Sequence, residues 1–286
     1  MAEIIDGKLV SKAIRNEIAE EVAKITATGA KAPGLAVIVV GDDPASAVYV
    51  RNKHRACNEV GITSYQLEYD SDITEELLLN KIDELNSDDA VNGILVQLPL
   101  PAHISEEKVI SAIAPQKDVD AFHPENVGKI MIGNYDFLPC TPAGIMMLLD
   151  YYHIDPKGKK CVVIGRSNIV GKPMAMLLLE KNGTVTVCHS RTADLKSETS
   201  GADILVAAVG KPNFVTADMV KDGAVVIDVG INRLSDGRLT GDVDFENVAA
   251  KASAITPVPG GVGPMTITTL LKNTVIAYKK QNLHIF

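Results

Sequence analysis

The stretch Cys161–Pro173, CVVIGRSNIVGKP, decides the fold of the second half of the chain. It opens with four apolar residues typical of a buried strand, which lead to Gly165, and a second glycine, Gly171, stands two residues before a proline. A strand, a tight turn and a helix start in this order are typical of a dinucleotide-binding unit. Because the pattern normally has three glycines and this stretch has two, a structural turn that binds nothing is an equally good interpretation of the stretch alone.

The segment after the following strand favours a nucleotide site. TVTVCH (184–189) reads as a strand, and His189, Ser190, Arg191 and Thr192 stand at its end. An NAD-binding unit is expected to carry an Asp or Glu there for the ribose 2′-hydroxyl. An arginine, two hydroxyls and an imidazole suit a 2′-phosphate instead, and Arg166 adds a second positive charge. The residues therefore favour NADP over NAD.

Strand-like and helix-like patterns alternate along most of the 286 residues, which is typical of parallel sheets covered by helices. The pattern breaks between Gln116 and Pro142, where we expect a loop and a join between domains. The sequence thus predicts an α/β protein of two domains, the second with a Rossmann-type parallel sheet. Strands are predicted at 35–41, 65–69, 91–101, 161–165, 184–189, 203–210 and 224–230, and helices at about 46–60, 73–86 with Thr74 as a cap, 143–152 and after 258–266.

Composition excludes several classes of protein. The net charge of −8 argues against a nucleic-acid or anionic-membrane partner. No stretch approaches the roughly 20 apolar residues of a membrane helix, and the N-terminus is an amphipathic segment rather than a signal peptide. Its helical stripe consists of Leu9, Ile14, Ile18, Val22 and Ile25. Because the four cysteines lack metal or redox spacing, we expect core thiols in a cytoplasmic protein and no metal site.

One helix of the first half carries an unusual group of side chains. Tyr49 and Lys53 are four residues apart and share a helix face, while Arg51 and Arg55 form a pair on another face. For most lysines a solvated surface position is the better interpretation. Neighbouring positive charge, or burial beside an aromatic ring, would lower the pKa of this lysine and let it act as an acid or base near neutrality.

Two further stretches carry polar residues where ligands of α/β proteins gather. Gln97 ends the apolar strand in ILVQLPLP, and Asp118 and Asp120 stand in the irregular segment QKDVDAFHP. A strand-end amide satisfied by backbone, and a turn stabilised by its own aspartates, are the alternatives. Each alternative is the more common situation when its residue is taken alone.

Taken together, the motifs resemble those of the bifunctional methylenetetrahydrofolate dehydrogenase/methenyltetrahydrofolate cyclohydrolase family, from IIDGK near the N-terminus to the final helix. The motifs are specific, PVPGGVGPMT above all. In chain order they are YVRNKHRACNEVGI, VQLPLP, KDVDAFHP, PCTPAGI, GRSNIVGKPM, DVGIN, GDV and ITPVPGGVGPMT.

The resemblance implies a folate-binding catalytic domain over 1–138, completed by the C-terminal helix 266–286, and an NADP-binding domain over 139–265. It implies oxidation of 5,10-methylenetetrahydrofolate with NADP, followed by hydrolysis to 10-formyltetrahydrofolate, in a homodimer. Lys53 would be the catalytic lysine, Tyr49 its partner against the folate, Gln97 the residue that tunes it and Asp120 the carboxylate that holds the pterin. The further implied contacts are Val96, Leu98, Pro259, Gly260 and Gly261 to the folate, and Gly165, Arg166, Ser167, His189, Ser190, Arg191 and Ile231 to the dinucleotide.

One departure from the family pattern stands after the second aspartate of KDVD. We expect glycine there, and this chain has Ala121. If the position needs a positive φ, the alanine is strained.

Three alternatives remain open from the sequence. The chain could be an NADP-dependent dehydrogenase of a small carboxylic acid, which needs a basic clamp and no lysine to activate water. It could be a non-catalytic NADP-binding protein, which has no use for Lys53, Gln97 and Asp120 together. It could also be a family member with the dehydrogenase activity alone, against which the same three residues argue.

Overall fold

The computed structural model describes residues 2–282, and for residues 44–47 it describes the backbone alone. Internal contacts divide the chain into two compact units. The six-stranded unit contains the residues up to 12 and 141–266, and the three-stranded unit contains 13–140 and the residues from 267 onward. The domain division expected from the sequence stays a prediction; the contact units differ from it chiefly in the first twelve residues.

Helices and strands alternate along the chain. The helices are α1 (Gly7–Ala27), α2 (Pro44–Val60), α3 (Glu75–Ser87), α4 (Glu106–Ala112), α5 (Pro124–Met131), α6 (Cys140–Tyr151), α7 (Gly171–Glu180), α8 (Leu195–Thr199), α9 (Phe245–Ala249) and α10 (Val262–Gln281). The strands are β1 (Glu3–Ile4), β2 (Gly34–Val40), β3 (Thr63–Tyr69), β4 (Gly93–Val96), β5 (Lys160–Ile164), β6 (Thr184–Cys188), β7 (Ile204–Ala207), β8 (Val225–Asp228), β9 (Asn232–Arg233), β10 (Leu239–Thr240) and β11 (Ala254–Ile255).

The three-stranded unit is built on a parallel sheet in the order β3-β2-β4. Every residue of the central strand β2 is buried, because its side chains alternate between two cores. Leu35, Val37 and Val39 pack in one core with residues of α1, α2 and α10. Their neighbours along β2 pack in the other core with residues of α3 and α4. The unbroken apolar run of β2 is therefore the signature of a sheet covered on both faces.

The six-stranded unit contains a parallel sheet in the order β1-β11-β8-β7-β5-β6. Because all six strands run the same way, the turns after β5, β6, β7 and β8 meet at one edge of the sheet, which is where open α/β sheets bind ligands. Strand β6 stands at the end of the order and pairs with β5 alone among the described strands. This arrangement brings the turns that the sequence singled out to one edge.

The predicted fold class, α/β with a Rossmann-type parallel sheet, is confirmed, and so is the cap of α3. The hydroxyl of Thr74 accepts a hydrogen bond from the backbone N–H of Leu77 at 3.2 Å. Leu9 departs from the predicted stripe of α1, since it is 52% exposed. Three of the other stripe positions, Ile18, Val22 and Ile25, are buried as expected.

The prediction of a continuous loop over 116–142 is wrong, because α5 lies within it. Pro124 occupies the first turn of this helix, where its missing N–H leaves no bond unmade. The ring nitrogen Nδ1 of His123 caps the helix by accepting from Glu125 N at 3.1 Å. A helix of eight residues that contains Gly128 has too little apolar periodicity to be recognised by pattern, although proline at its start was a usable signal.

Some general properties follow from the described residues. None of the helices in residues 2–282 is both long and apolar enough to span a membrane. Within the same part of the chain, His, Cys, Asp and Glu side chains form no group of three that could hold a metal ion. All four cysteines are buried and unpaired by disulfides.

Candidate active site

The central feature of the three-stranded unit is the buried amine of Lys53. We call the group formed by Lys53, Tyr49, Gln97 and Asp120 the amine site. Lys53 lies on the inner face of α2 with Val50 and Cys57, and 8% of it is exposed. Because this face of the helix is buried, the side chain of Lys53 lies in the interior, whereas most lysine side chains are exposed to solvent. The sequence expectation that this lysine differs from a surface lysine is therefore met by its burial.

The partner of the amine is the amide of Gln97. Lys53 Nζ donates a hydrogen bond to Gln97 Oε1 at 2.9 Å. Gln97 directly follows β4, its backbone N–H donates to the carbonyl of Ile38 at 2.8 Å, and its Nε2 donates to the carbonyl of Leu98 at 2.7 Å. The last bond fixes the amide orientation, so that the oxygen and not the nitrogen faces the amine. Val96, the last residue of β4, is buried beneath this turn.

Burial lowers the pKa of Lys53, because an ammonium ion loses its hydration in the interior. Asp120, Cys140 and Cys57 act in the opposite sense and favour the charged form. The neighbouring cations proposed from the sequence are not the cause: Arg51 and Arg55 lie on the exposed part of α2. Helical spacing explains the difference, since positions two residues away from Lys53 point to other faces.

Asp120 completes the amine site. It belongs to the segment that lies beside β4. Burial raises the pKa of its carboxyl group, while the positive charge of Lys53 and a hydrogen bond with Cys140 oppose the shift. Its two carboxyl oxygens are hydrogen-bond acceptors. Asp120 is half-buried, which leaves part of it open to a ligand.

Tyr49 lies one helical turn before Lys53 on α2 and is half-buried. Burial raises the pKa of its phenol. The ring therefore offers an apolar surface next to a buried amine, and its hydroxyl stays protonated at neutral pH.

Asp118 has a structural role that the sequence left open. Its carboxyl group accepts from the backbone N–H of His123 at 2.8 Å and from Asn126 Nδ2 at 2.9 Å. It thereby closes the turn that carries Ala121, whose φ is +57°. The position does require the left-handed conformation, and the alanine adopts it with its side chain fully buried.

Two residues of this region were missed as parts of the site. Cys140 was assigned to the core as an inert thiol, but its hydrogen bond to Asp120 makes it a direct neighbour of the amine site. Burial raises its pKa far above the ordinary thiol range, so it acts as a neutral donor. Asn273 of α10 donates to the carbonyls of Val119 at 2.8 Å and Leu138 at 2.9 Å, and so holds the segment before Asp120. The motif PCTPAGI was the available signal for Cys140; no sequence signal singled out Asn273.

In the six-stranded unit, the residues from Gly165 to Gly171 form the nucleotide turn. Gly165 has φ +130°, and a Cβ atom there would stand 2.3 Å from the carbonyl oxygen of Ala208. A Cβ on Gly171 would stand 2.3 Å from the carbonyl oxygen of Gly165. Both glycines are therefore required by close backbone approach, and two suffice for this turn. Ser167 Oγ accepts from the N–H groups of Val170 and Gly171 at 3.2 and 3.3 Å and so caps the start of α7.

The turn after β6, His189 to Thr192, lies next to the nucleotide turn because β5 and β6 are neighbours. Thr192 Oγ1 accepts from His189 N at 2.9 Å, and His189 Nδ1 accepts from Arg191 N at 3.1 Å. These bonds fix the backbone and leave Ser190 and the guanidinium of Arg191 exposed. Arg166 is also exposed. Two basic side chains thus stand free of ion pairs with any described acidic residue at this edge of the sheet.

The other predicted contacts belong to the same unit. Ile231 follows β8 and is 45% exposed, so its side chain is accessible at the ligand edge of the sheet. Gly260 has φ +113°, and its carbonyl accepts from the N–H of Lys8 at 3.2 Å. Gly261 passes so close to Gly7 that a Cβ atom built on Gly7 would lie 1.7 Å from the carbonyl oxygen of Gly261. The roles predicted for Pro259, Gly260 and Gly261 toward the folate stay predictions.

Comparison with known protein families finds a match for each part of the chain. A family model described as the catalytic domain of tetrahydrofolate dehydrogenase/cyclohydrolase matches residues 5–120. A second model, described as the NAD(P)-binding domain of the same enzymes, matches residues 139–282. The two models together cover most of the chain.

Similar proteins and solved structures agree with this match. The bifunctional protein FolD of Moorella thermoacetica is 61% identical over 98% of this chain and 99% of its own length. The crystal structure of FolD from Campylobacter jejuni, a methylenetetrahydrofolate dehydrogenase/cyclohydrolase, superposes with a TM-score of 0.96 at 51% identity, covering 98% of this chain and 99% of that one. The Trypanosoma brucei enzyme, solved with NADP and an inhibitor, superposes with a TM-score of 0.94 at 41% identity over 98% of each chain.

Proposed function

Because the chain belongs to the tetrahydrofolate dehydrogenase/cyclohydrolase family, we propose that its amine site acts on the folate and that its nucleotide turn binds NADP. The protein is a bifunctional enzyme. It oxidises 5,10-methylenetetrahydrofolate to 5,10-methenyltetrahydrofolate with NADP and hydrolyses the product to 10-formyltetrahydrofolate. Full-length identity with bifunctional relatives disfavours a dehydrogenase of a small carboxylic acid and a non-catalytic NADP-binding protein.

The residues of the six-stranded unit fit NADP. The missing side chains at Gly165 and Gly171 let the turn pass close to its own backbone, and the start of α7 adds a positive dipole end that favours a phosphate group. The turn after β6 has a guanidinium and hydroxyls in place of a carboxylate, which suits a 2′-phosphate. Arg166 and Arg191 would hold phosphate groups, and Ile231 would pack on the flat part of the ligand. Bound NADP supplies a hydride acceptor for the first reaction.

The observation that carries the cyclohydrolase assignment is the buried amine of Lys53, 2.9 Å from a neutral amide oxygen. Water adds to the methenyl carbon, and Lys53 in its neutral form takes one proton from that water. The C–N bond to the ring nitrogen then breaks, and that nitrogen receives the proton back from Lys53. The hydroxyl that becomes the formyl oxygen releases the second proton to solvent.

Each neighbour of Lys53 has a defined part in this scheme. Gln97 positions the amine without a negative charge, and a carboxylate at the same place would raise the pKa of the lysine. The cationic substrate lowers the pKa of Lys53 beyond the effect of burial, since two like charges disfavour each other. Tyr49 packs against the folate ring, and Asp120 holds the pterin by hydrogen bonds.

We also propose a cytoplasmic homodimer that binds neither nucleic acid nor membrane. The family resemblance supports the dimer, and the net charge of −8 supports the absence of polyanionic partners. Light scattering coupled to size exclusion tests the dimer, and a monomer at micromolar concentration would contradict it.

The decisive experiment is a spectrophotometric assay with methylenetetrahydrofolate, comparing NADP with NAD and following the formation and decay of the methenyl product. Formation and decay with NADP are expected. An absence of NADP reduction would overturn the dehydrogenase assignment, and stable accumulation of the methenyl product would overturn the cyclohydrolase assignment.

A further inference from the structure

A buried carboxyl group, that of Asp242 in the motif GDV, gathers two loops at the ligand edge of the six-stranded sheet. It is fully buried and follows β10. Its Oδ2 accepts from Val209 N at 2.6 Å and Gly210 N at 3.0 Å. Its Oδ1 accepts from Lys211 N at 2.9 Å and Asn232 Nδ2 at 2.9 Å. Four donors fill the acceptor capacity of the two oxygens.

These four donors come from two segments that border the nucleotide site. Three of them are consecutive backbone N–H groups in the loop after β7, an arrangement that normally forms an anion-binding concavity. Here the chain fills the concavity with its own side chain. The fourth donor, Asn232, directly follows Ile231 in the segment after β8. The shape of both segments therefore depends on one carboxyl group.

Asp242 is itself held by a second buried carboxyl group. Asp228, the last residue of β8, accepts from the backbone N–H groups of Gly230, Asp242 and Val243 at 2.9–3.0 Å. A Cβ at Gly230 would stand 2.2 Å from Oδ1 of Asp242, and one at Gly241 would stand 1.8 Å from Oδ2 of Asp228. The glycines of DVGIN and GDV are thus explained by the passage of two carboxyl groups, and not by turn geometry.

The loop that Asp242 holds is the one that limits the nucleotide turn. The carbonyl oxygen of Ala208, one residue before this loop, lies 2.3 Å from the place a Cβ on Gly165 would take, and Ala208 N donates to Ile164 O at 2.8 Å. With so little free space, a shift of the loop toward β5 would press on the turn, and a shift away would open it.

We propose that Asp242 is a positioning residue for NADP: it holds the loops after β7 and β8 in the form that the nucleotide turn and Ile231 need. The inference rests on the proposed NADP site. Asp242 is buried beneath the loops, so it acts through Val209–Lys211 and Asn232 and not by touching the ligand. The amine site lies in the other unit and does not depend on these bonds.

Asp242→Asn tests the inference, because an amide keeps the size of the side chain and places an NH₂ group against two N–H donors in either orientation. NADP affinity is measured by titration calorimetry, and cyclohydrolase activity is measured with methenyltetrahydrofolate in the absence of NADP. The dissociation constant for NADP is expected to rise at least about tenfold, which corresponds to one lost charged hydrogen bond. Cyclohydrolase activity is expected to stay within about twofold of the unchanged chain.

Asp155→Asn is the matched control. Asp155 accepts a single backbone hydrogen bond, from Lys157 at 2.9 Å, in the turn before β5, at the opposite end of that strand from the nucleotide turn. The same chemical change there is expected to leave the NADP dissociation constant unchanged.

The outcomes separate positioning from general stability. An unchanged NADP dissociation constant in Asp242→Asn, or an equal fall of NADP binding and cyclohydrolase activity, would overturn the inference. If Asp242→Asn does not fold, Asn232→Ala removes one donor only and is judged by the same two measurements. A wild-type chain that binds NADP but shows neither activity would count against the proposed function and leave the inference standing on the titrations.

Discussion

Lys53 and Gln97 are joined by a 2.9 Å hydrogen bond in which the amine donates and the amide oxygen accepts. The relationship matters because the partner is neutral. Burial already lowers the pKa of the amine, and an uncharged acceptor holds it in place without reversing that shift. These surroundings support the proposed role of Lys53 as a base.

Removing the amine tests its role directly. Lys53→Met is expected to lower cyclohydrolase activity by about 10²-fold or more, in the range of a lost general base, and to leave NADP affinity unchanged. Lys53→Arg is expected to fail equally, because a guanidinium cannot give up its proton. Lys24→Met, at an exposed position of α1, is the control. Normal conversion of methenyl- to formyltetrahydrofolate by Lys53→Met would rule the role out.

A carboxylate in place of the amide tests the pKa argument. Gln97→Glu is expected to raise the pKa of Lys53 and to move the rise of cyclohydrolase activity toward higher pH. In the unchanged chain the neutral amine increases with pH, and its midpoint lies below 10.5, the ordinary lysine value, because burial lowers the pKa of Lys53. The pH profile, corrected for uncatalysed hydrolysis, is the measurement, and Gln66→Glu on exposed β3 is the control. A profile that does not move contradicts the argument.

Cofactor choice is expected to depend on Arg191. Arg191→Ala should weaken NADP binding by about 10- to 100-fold, the loss expected for charged hydrogen bonds to a phosphate, and should change NAD binding little. Dissociation constants for both nucleotides give the answer. Arg233→Ala, exposed on strand β9, should affect neither. Equal weakening of NADP and NAD would refute the assignment.

Close approach at the nucleotide turn can be separated from backbone strain. Gly165→Ala places a methyl group 2.3 Å from a carbonyl oxygen, and Gly237→Ala meets nothing within 4 Å although its φ is +84°. Gly165→Ala is therefore expected to weaken NADP binding at least about tenfold and to lower the free energy of unfolding by about 2 kcal/mol or more. Gly237→Ala should cost about 1 kcal/mol and leave NADP binding alone. Similar results for the two variants would contradict the steric argument.

Ala121→Gly measures the cost of the left-handed alanine. Relief of about 1–2 kcal/mol of strain is offset by the loss of a buried methyl, about 0.8 kcal/mol, and by the greater freedom of glycine in the unfolded chain. The free energy of unfolding should thus change by less than about 1 kcal/mol. Ala277→Gly in helix α10, which is buried in the same core, lacks the strain and should lose about 1.5–2 kcal/mol. Urea unfolding of both variants decides, and equal losses would show that Ala121 is unstrained.

The sequence predicted the parts of this molecule that depend on pattern. The apolar run ending at Val40 was predicted as a buried strand, and Gly165 after four apolar residues was predicted as a turn; both are present. The cause of the pKa shift of Lys53 was partly mistaken, because the presence of Arg51 and Arg55 in the chain does not reveal which face they occupy.

Long-range relationships were beyond the reach of pattern. Nothing near Asp242 indicates that its carboxyl group is surrounded by backbone N–H groups from a loop about 30 residues earlier, since such contacts depend on strand order. Asn273 is likewise an ordinary helix residue in the sequence, and only packing places its amide beneath Val119 and Leu138. The roles assigned to Tyr49, Asp120 and the glycine-rich loop stay predictions until they are tested.

Because β6 is the edge strand of its sheet, the selection between NADP and NAD is easy to alter. Its following turn is a surface element joined to one neighbour, so Ser190 and Arg191 can be exchanged for acidic residues with little effect on the interior. The carboxyl groups of Asp228 and Asp242 allow no such freedom, because each lies against a glycine that has no room for a side chain. Redesign toward NAD should therefore begin at the outer turn and leave the interior pair untouched.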